Sequence, residues 1–291
     1  MKKIINKVFL GMFLIGSVLL LINIYGLFQP LGNDEIYSET HVLHKNDIDK
    51  NAQALLKEVL SEKNITDRKE YIKKVVLAVN KSIAHYWWEE GRIKYNLTIP
   101  IYKNFILWFK QFTDARHYKF YEFCDYKKAL ERKVGLCSQH AITVCGILNE
   151  KKIPCKIVAL SGHVVAMAEV EPEKYWILDA DYDVIVPLHI DEIEEDPSVI
   201  IPYYKDKIAY SNYALSQVEN NNGENTDVNV ITLEKLVSIF GKKGNFIIDG
   251  VEKYCGKKFS CEERAAYLIW IIPLLLILPF LLSKIKKLVN T

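Results

Sequence analysis

Three hydrophobic patterns divide the chain. Val8 to Leu27 is a run of twenty residues in which Asn23 is the only strongly polar side chain, and Ala265 to Leu282 is a second apolar run without a charge. Each is long enough to cross a hydrocarbon core as a helix. Pro273 and Pro279 interrupt the second run, which a spanning helix tolerates and a buried soluble helix carries poorly. Between the runs the period becomes helical. Ile48, Ala52, Leu55, Leu56, Val59 and Leu60 form one stripe behind Asp47 as a cap, ending near Asn64. Tyr71, Ile72, Val75, Val76, Val79 and Ile83 form another behind Asp67. A third helical set, Ile142, Val144, Cys145, Ile147 and Leu148, follows Gly135-Leu136-Cys137.

After Pro154 the pattern changes to strand-like runs at Cys155–Leu160, Val164–Val170 and Tyr175–Leu178, with turns at Gly162 and Glu171–Lys174 and a further strand at Val184–Leu188. The flanks are less regular. Arg92 to Pro100 reads as extended, Ile101 to Phe112 as an aromatic helix, Lys127 to Arg132 as a helix, and the acidic run Asp191 to Asp196 as a solvated loop. Helices are also expected over Lys205 to Val218 and Thr232 to Phe240, separated by a polar break at Glu219–Asn225. The expected organisation is a cytoplasmic end (residues 1–7), a span (8–27), a linker (28–46), an α+β domain (47–264), a second span (265–282) and a basic tail (283–291).

Charge orients this plan. The two ends hold six of the 38 basic residues and none of the 36 acidic ones, which leaves the middle section at −4. Basic ends place both termini in the cytoplasm and the domain outside, with the lipid bilayer as partner. The first run has no small-x-small cleavage site after it and reads as an uncleaved anchor rather than a signal peptide. A mildly acidic, mixed surface excludes a nucleic-acid partner, and spans without ionisable residues argue against a channel or transporter. The lysine-, asparagine- and isoleucine-rich composition has a bacterial style.

Six cysteines lie in the middle section. If Cys137 is a free nucleophile, at most two disulfides form; Cys255 and Cys261 are spaced to close a small loop before the second span. No cysteine or histidine pair has metal-ligand spacing, so no metal is expected. His140, one helical turn from Cys137, is expected at a solvated position. Asn64, Asn80 and Asn96 begin glycosylation sequons.

Chemistry concentrates between Lys133 and Asp183. Cys137 falls at a helix start, where free N–H groups and the helix dipole favour a thiolate. His163 opens the second strand and Asp179 closes the third. If paired residue numbers in that hairpin have an even sum, such as 165 with 179, both side chains share one face. Should that face meet the helix start, Cys137, His163 and Asp179 become nucleophile, base and orienting carboxylate. The Cys137 backbone N–H is one candidate oxyanion donor, with an upstream side chain as the second.

The segment resembles the transglutaminase-like superfamily, related to papain in fold. The resemblance rests on Gly135-Leu136-Cys137 before a helix, Lys152-Ile153-Pro154-Cys155-Lys156-Ile157-Val158 entering a strand, His163 opening the next, and Trp176-Ile177-Leu178-Asp179, within a core of about residues 123–190. It implies catalytic roles for Cys137, His163 and Asp179, attack on an amide carbonyl through a thioester, and a peptide, protein or cell-envelope amide as substrate. Water as acceptor gives a peptidase or amidase; an amine gives a transamidase. No cofactor is required. The sequence departs from the family at Asp179-Ala180-Asp181, where many members have Asp-Pro-Thr, and in a short Cys-to-His interval. The alternative is a fold retained as a membrane-bound binding or assembly module, with Cys137 unused.

Overall fold

A computed structural model of the protein describes residues 2–39, 48–86, 88–208 and 232–289. The architecture is α+β, with a five-stranded antiparallel sheet at its centre. The first apolar run forms α1 (Lys2–Leu27). The segment after it is not a free linker, because Leu31 and Ile36 are buried and a short turn over Asp34–Ser38 is capped by Asn33. α2 (Ala52–Ser61) and α3 (Arg68–Asn80) carry the two predicted stripes, and Asp67 caps α3 by accepting from the Glu70 N–H. Asp47 lies outside the described residues, as does most of the helix expected from Lys205 to Val218.

A two-residue strand β1 (Ala84–His85) follows α3. The expected extended segment from Arg92 is instead a set of turns: the Arg92 carbonyl accepts from Leu97, and Tyr95 donates to Gly91. The aromatic helix is short, α4 (Phe105–Lys110), because the Asn104 side chain caps it by accepting from Ile106 and Leu107. α5 (Ala115–Tyr118) and α6 (Tyr126–Arg132) lead to β2 (Val134–Gly135), which pairs in parallel with β1. Then comes α7 (Cys137–Glu150).

The sheet follows: β3 (Cys155–Leu160), β4 (His163–Glu171), β5 (Lys174–Asp179) and β6 (Val184–Val186). Two-residue hairpins join the first three, with Gly162 at φ +109° and Glu173 at φ +64° supplying the left-handed turn positions. The acidic run is not a loop. It forms α8 (Ile190–Glu195), started by a capping box between His189 and Glu192, and buries Ile190 and Ile193. Residues 201–208 form α9, α10 (Leu233–Phe240) is capped by Thr232, and β7 (Phe246–Ile248) joins the free edge of β3. α11 (Val251–Arg264) breaks at Gly256, and α12 (Leu268–Val289) is the second apolar helix.

Strand alternation makes two cores. Ile157, Ala166, Ala168 and Leu178 face α3 and α7, whereas Val158, Val165, Met167 and Ile177 face α8, α9 and α10.

α1 and α12 run antiparallel, with Phe13 against Phe280 (4.8 Å) and Asn23 near Ile269, so the two chain ends lie at the same end of the pair. A Cβ on Gly16 would stand 2.6 Å from the Pro273 carbonyl, a contact only glycine permits. Both helices are long and apolar enough to cross a membrane.

Candidate active site

Three elements meet at one end of the sheet. The β4–β5 register pairs Ala166 with Leu178, a sum of 344, so the expected even-sum pairing holds and His163 and Asp179 share a face. His163 Nε2 lies 2.7 Å from Asp179 Oδ2, with both side chains almost fully buried. That face belongs to the α8–α10 side, by the parity of Val165 and Ile177. Cys137, on the opposite layer, meets His163 around the sheet's end: its Sγ, a ring nitrogen of His163 and a carboxylate oxygen of Asp181 all lie within 4.8 Å of one another.

Asp179 is held by four donors. Oδ2 accepts from His163 and from the Tyr204 hydroxyl (2.8 Å), and Oδ1 from the backbone N–H groups of Asp181 and Tyr182. The Tyr182 ring stands edge-on to His163, 5.7 Å away. Burial alone would make His163 less basic. The Asp179 carboxylate and the Cys137 sulfur beside it outweigh that, and hold its pKa well above the ordinary imidazole value. Burial and the same carboxylate raise the Tyr204 hydroxyl well above 10, so it stays a donor.

Cys137 opens α7 and is only partly covered. Gly135 precedes it because a Cβ there would fall 2.4 Å from the Gln139 side chain. Gln139 is buried and fixes the helix start: it accepts from the Phe123 N–H and Arg132 and donates to the Phe123 carbonyl. The fully buried Arg132 also donates to the Val134 and Tyr121 carbonyls, and desolvation lowers its pKa to about 10. Beside the thiol, Ser138 donates to the Glu122 carboxyl (2.6 Å), whose pKa burial raises. Burial, followed by the charges of Glu122 and Cys137, likewise raises the Tyr254 hydroxyl.

Asp181, His85 and His140 join the site in the fold without a site motif of their own in the sequence. The β1–β2 bridge sets His85 beside Gly135, and His85 Nδ1 lies 2.8 and 2.9 Å from the two oxygens of Asp181. His140 is buried rather than solvated, with its nitrogens 2.8 Å from the Leu136 carbonyl and 2.9 Å from that of Ile83. Asn80, a sequon residue, is buried and donates to the carbonyls of Ala180 and Asp181, so it holds the loop instead of carrying a glycan; Asn96 is also buried. The departure at Asp179-Ala180-Asp181 was the one sequence signal for this second carboxylate.

The cysteine pairing also differs from expectation. Cys255 bonds Cys124, across 131 residues, and Cys145 bonds Cys155; Cys261 is not its partner. The reason is where α11 docks: Glu263 accepts from the Tyr121 hydroxyl and from the Cys124 and Asp125 N–H groups, laying α11 along that segment. A cavity of about 900 Å³ lies away from the thiol, next to the end of α1, lined by Gln29, Asn33, Lys94, Tyr102 and Lys133 among others. Among the described residues, its lining includes no cysteine, serine, threonine or histidine.

In comparisons with protein-family models, with curated proteins and with solved structures, nothing matched the chain.

Proposed function

We propose that the protein is a membrane-anchored, transglutaminase-like thiol enzyme that transfers or hydrolyses an amide acyl group. The observation that carries this reading is the His163–Asp179 bond of 2.7 Å beside the half-covered Cys137 at a helix start. His163 takes the thiol proton, and the sulfur attacks the amide carbonyl to form a tetrahedral oxyanion. As the C–N bond breaks, the imidazolium gives its proton to the leaving amine, leaving a thioester for water or a second amine. Asp179 fixes the ring and favours its charged form. The Cys137 N–H, at the first position of α7, is the proposed oxyanion donor.

The two disulfides favour an oxidising compartment, and the antiparallel α1–α12 pair with basic ends favours cytoplasmic termini and an outward domain. The substrate class is a peptide, protein or cell-envelope amide.

The test is alkylation by iodoacetamide across pH in metal-free buffer, with the label located by mass spectrometry. Selective labelling of Cys137 well below the pH at which a free thiol reacts, lost in His163→Ala, is the expected result. Labelling unchanged by His163→Ala sinks the enzyme reading and leaves a binding or assembly module.

A further inference from the structure

We propose that Cys137, His163 and Asp181 form a site for a thiophilic divalent cation of the zinc class, and that occupation of it closes the thiol to acyl chemistry. The three ligand atoms come from α7, the start of β4 and the turn after β5, and lie within 4.8 Å of one another. Tetrahedral zinc bonded to sulfur, nitrogen and oxygen at about 2.0–2.3 Å holds its ligands roughly 3.3–3.8 Å apart. Movement of the Cys137 and Asp181 side chains on the scale of a small torsion change closes that gap.

Two further features suit a metal site rather than a chance cluster. His163 has Nε2 committed to Asp179, which leaves the other ring nitrogen as ligand and makes Asp179 the outer carboxylate that zinc-bound imidazoles characteristically have. Asp181 is itself oriented, with both carboxylate oxygens against His85 Nδ1 and its backbone carbonyl accepting from Asn80, so the third ligand needs only a small adjustment when a cation arrives. The donor set of thiolate, imidazole and carboxylate has the soft-to-borderline character zinc prefers, and three protein ligands leave a fourth position open. None of the three has a partner at metal-motif spacing in the chain, so the set is invisible in the sequence.

Binding exchanges one proton for the cation: the Cys137 sulfur forms the bond to the metal, and the proton it or His163 carried goes to solvent. Electron count at sulfur does not change. A sulfur so engaged gives electron density to the metal and is a weaker nucleophile, and the same cation takes the ring nitrogen of His163 that would act as base, so the cation competes with the acyl substrate for the site. The binding does not require that Cys137 be a catalyst.

The experiment uses the full chain in detergent micelles, with disulfides intact and without reductant. Cobalt(II) is titrated in, the thiolate-to-cobalt charge-transfer band is followed, and zinc is then used to displace it. One equivalent of cobalt should give the band, zinc should abolish it, and zinc should protect Cys137 from iodoacetamide. Cys137→Ser should remove the band, and Asp181→Asn should weaken binding at least tenfold. Absence of the band in the wild-type chain overturns the proposal, however the variants fold. So does a band that survives Cys137→Ser, or wild-type affinity in Asp181→Asn. Cobalt binding by a chain whose Cys137 labels no faster than an ordinary thiol would defeat the acyl-transfer reading while leaving this one standing; rapid labelling without cobalt binding would do the reverse.

Discussion

His163 and Asp179 sit on neighbouring strands in a register that leaves their side chains on one face, 2.7 Å apart, while Asp181, two residues further on, turns to the thiol's side of the ring. The two carboxylates should therefore act on Cys137 with opposite sign. Asp179→Asn removes the partner of the imidazolium and should slow Cys137 alkylation at neutral pH. Asp181→Asn removes a negative charge close to the sulfur and should speed it. Rate changes in the same direction would show that the two are not distinct in role.

The Tyr204 hydroxyl shares Asp179 Oδ2 with His163. Tyr204→Phe keeps the ring against Tyr182 and Phe240 but deletes a bond to a buried carboxylate, a change of about 1.5–3 kcal/mol. The apparent Tm should fall by several degrees, at roughly 2–4 °C per kcal/mol for a domain of this size. An unchanged Tm would mean that the bond is replaced by water at no cost.

His163 gives stability a defined pH dependence. Its pKa in the folded chain stands well above the ordinary value, so the folded state binds the proton more tightly than the unfolded one. The resulting stability is fully present below the unfolded value of about 6.5 and fades as pH rises through the folded value. In His163→Gln this component is gone, so the stability difference between wild type and variant should shrink on going from about pH 6 to alkaline pH. Denaturant titrations at a series of pH values measure it; a gap that widens with pH would contradict the assignment.

How much of this could be read in the sequence follows from distance along the chain. β3 matched its apolar run end to end, and the capping of α3 by Asp67 was legible, because period-two alternation and a cap three residues from its target are local signals. The His163–Asp179 pairing was legible too, since a short hairpin converts parity into geometry. The side chains that hold the two carboxylates from outside the hairpin were not legible. His85 reaches Asp181 only through a parallel bridge two residues long, and Tyr204 reaches Asp179 from another layer of the fold. The acidic composition of α8 masks Ile190 and Ile193, although His189 and Glu192, three residues apart, carry a capping signal.

Cys124–Cys255 joins the approach to α6 with α11, the last segment before the second apolar helix. Peptide mapping without reduction should find this bond and Cys145–Cys155, with Cys137 recovered alkylated. A Cys255–Cys261 peptide would contradict the docking of α11. Because the bond closes a loop of more than a hundred residues, Cys124→Ser should cost about 2–5 kcal/mol.

Asn23 is the one strongly polar side chain in the first apolar run, and its position has a specific cause in the second. Pro273 has no N–H, so the carbonyl of Ile269, four residues earlier, loses its helical donor. The Asn23 amide supplies a substitute at 2.5 Å, and Gly16, two turns away, lets the helix backbones approach closely enough for it to reach. In hydrocarbon an unpaired carbonyl has no water to turn to. Asn23→Val should therefore weaken the helix pair by about 0.6–1.7 kcal/mol, the range for such bonds in membranes. In a Pro273→Ala background the helix regains its own donor, and the same substitution should cost much less. A double-mutant cycle on the full chain in bicelles measures the coupling, and equal costs in the two backgrounds would show that Asn23 does not serve the carbonyl freed by Pro273.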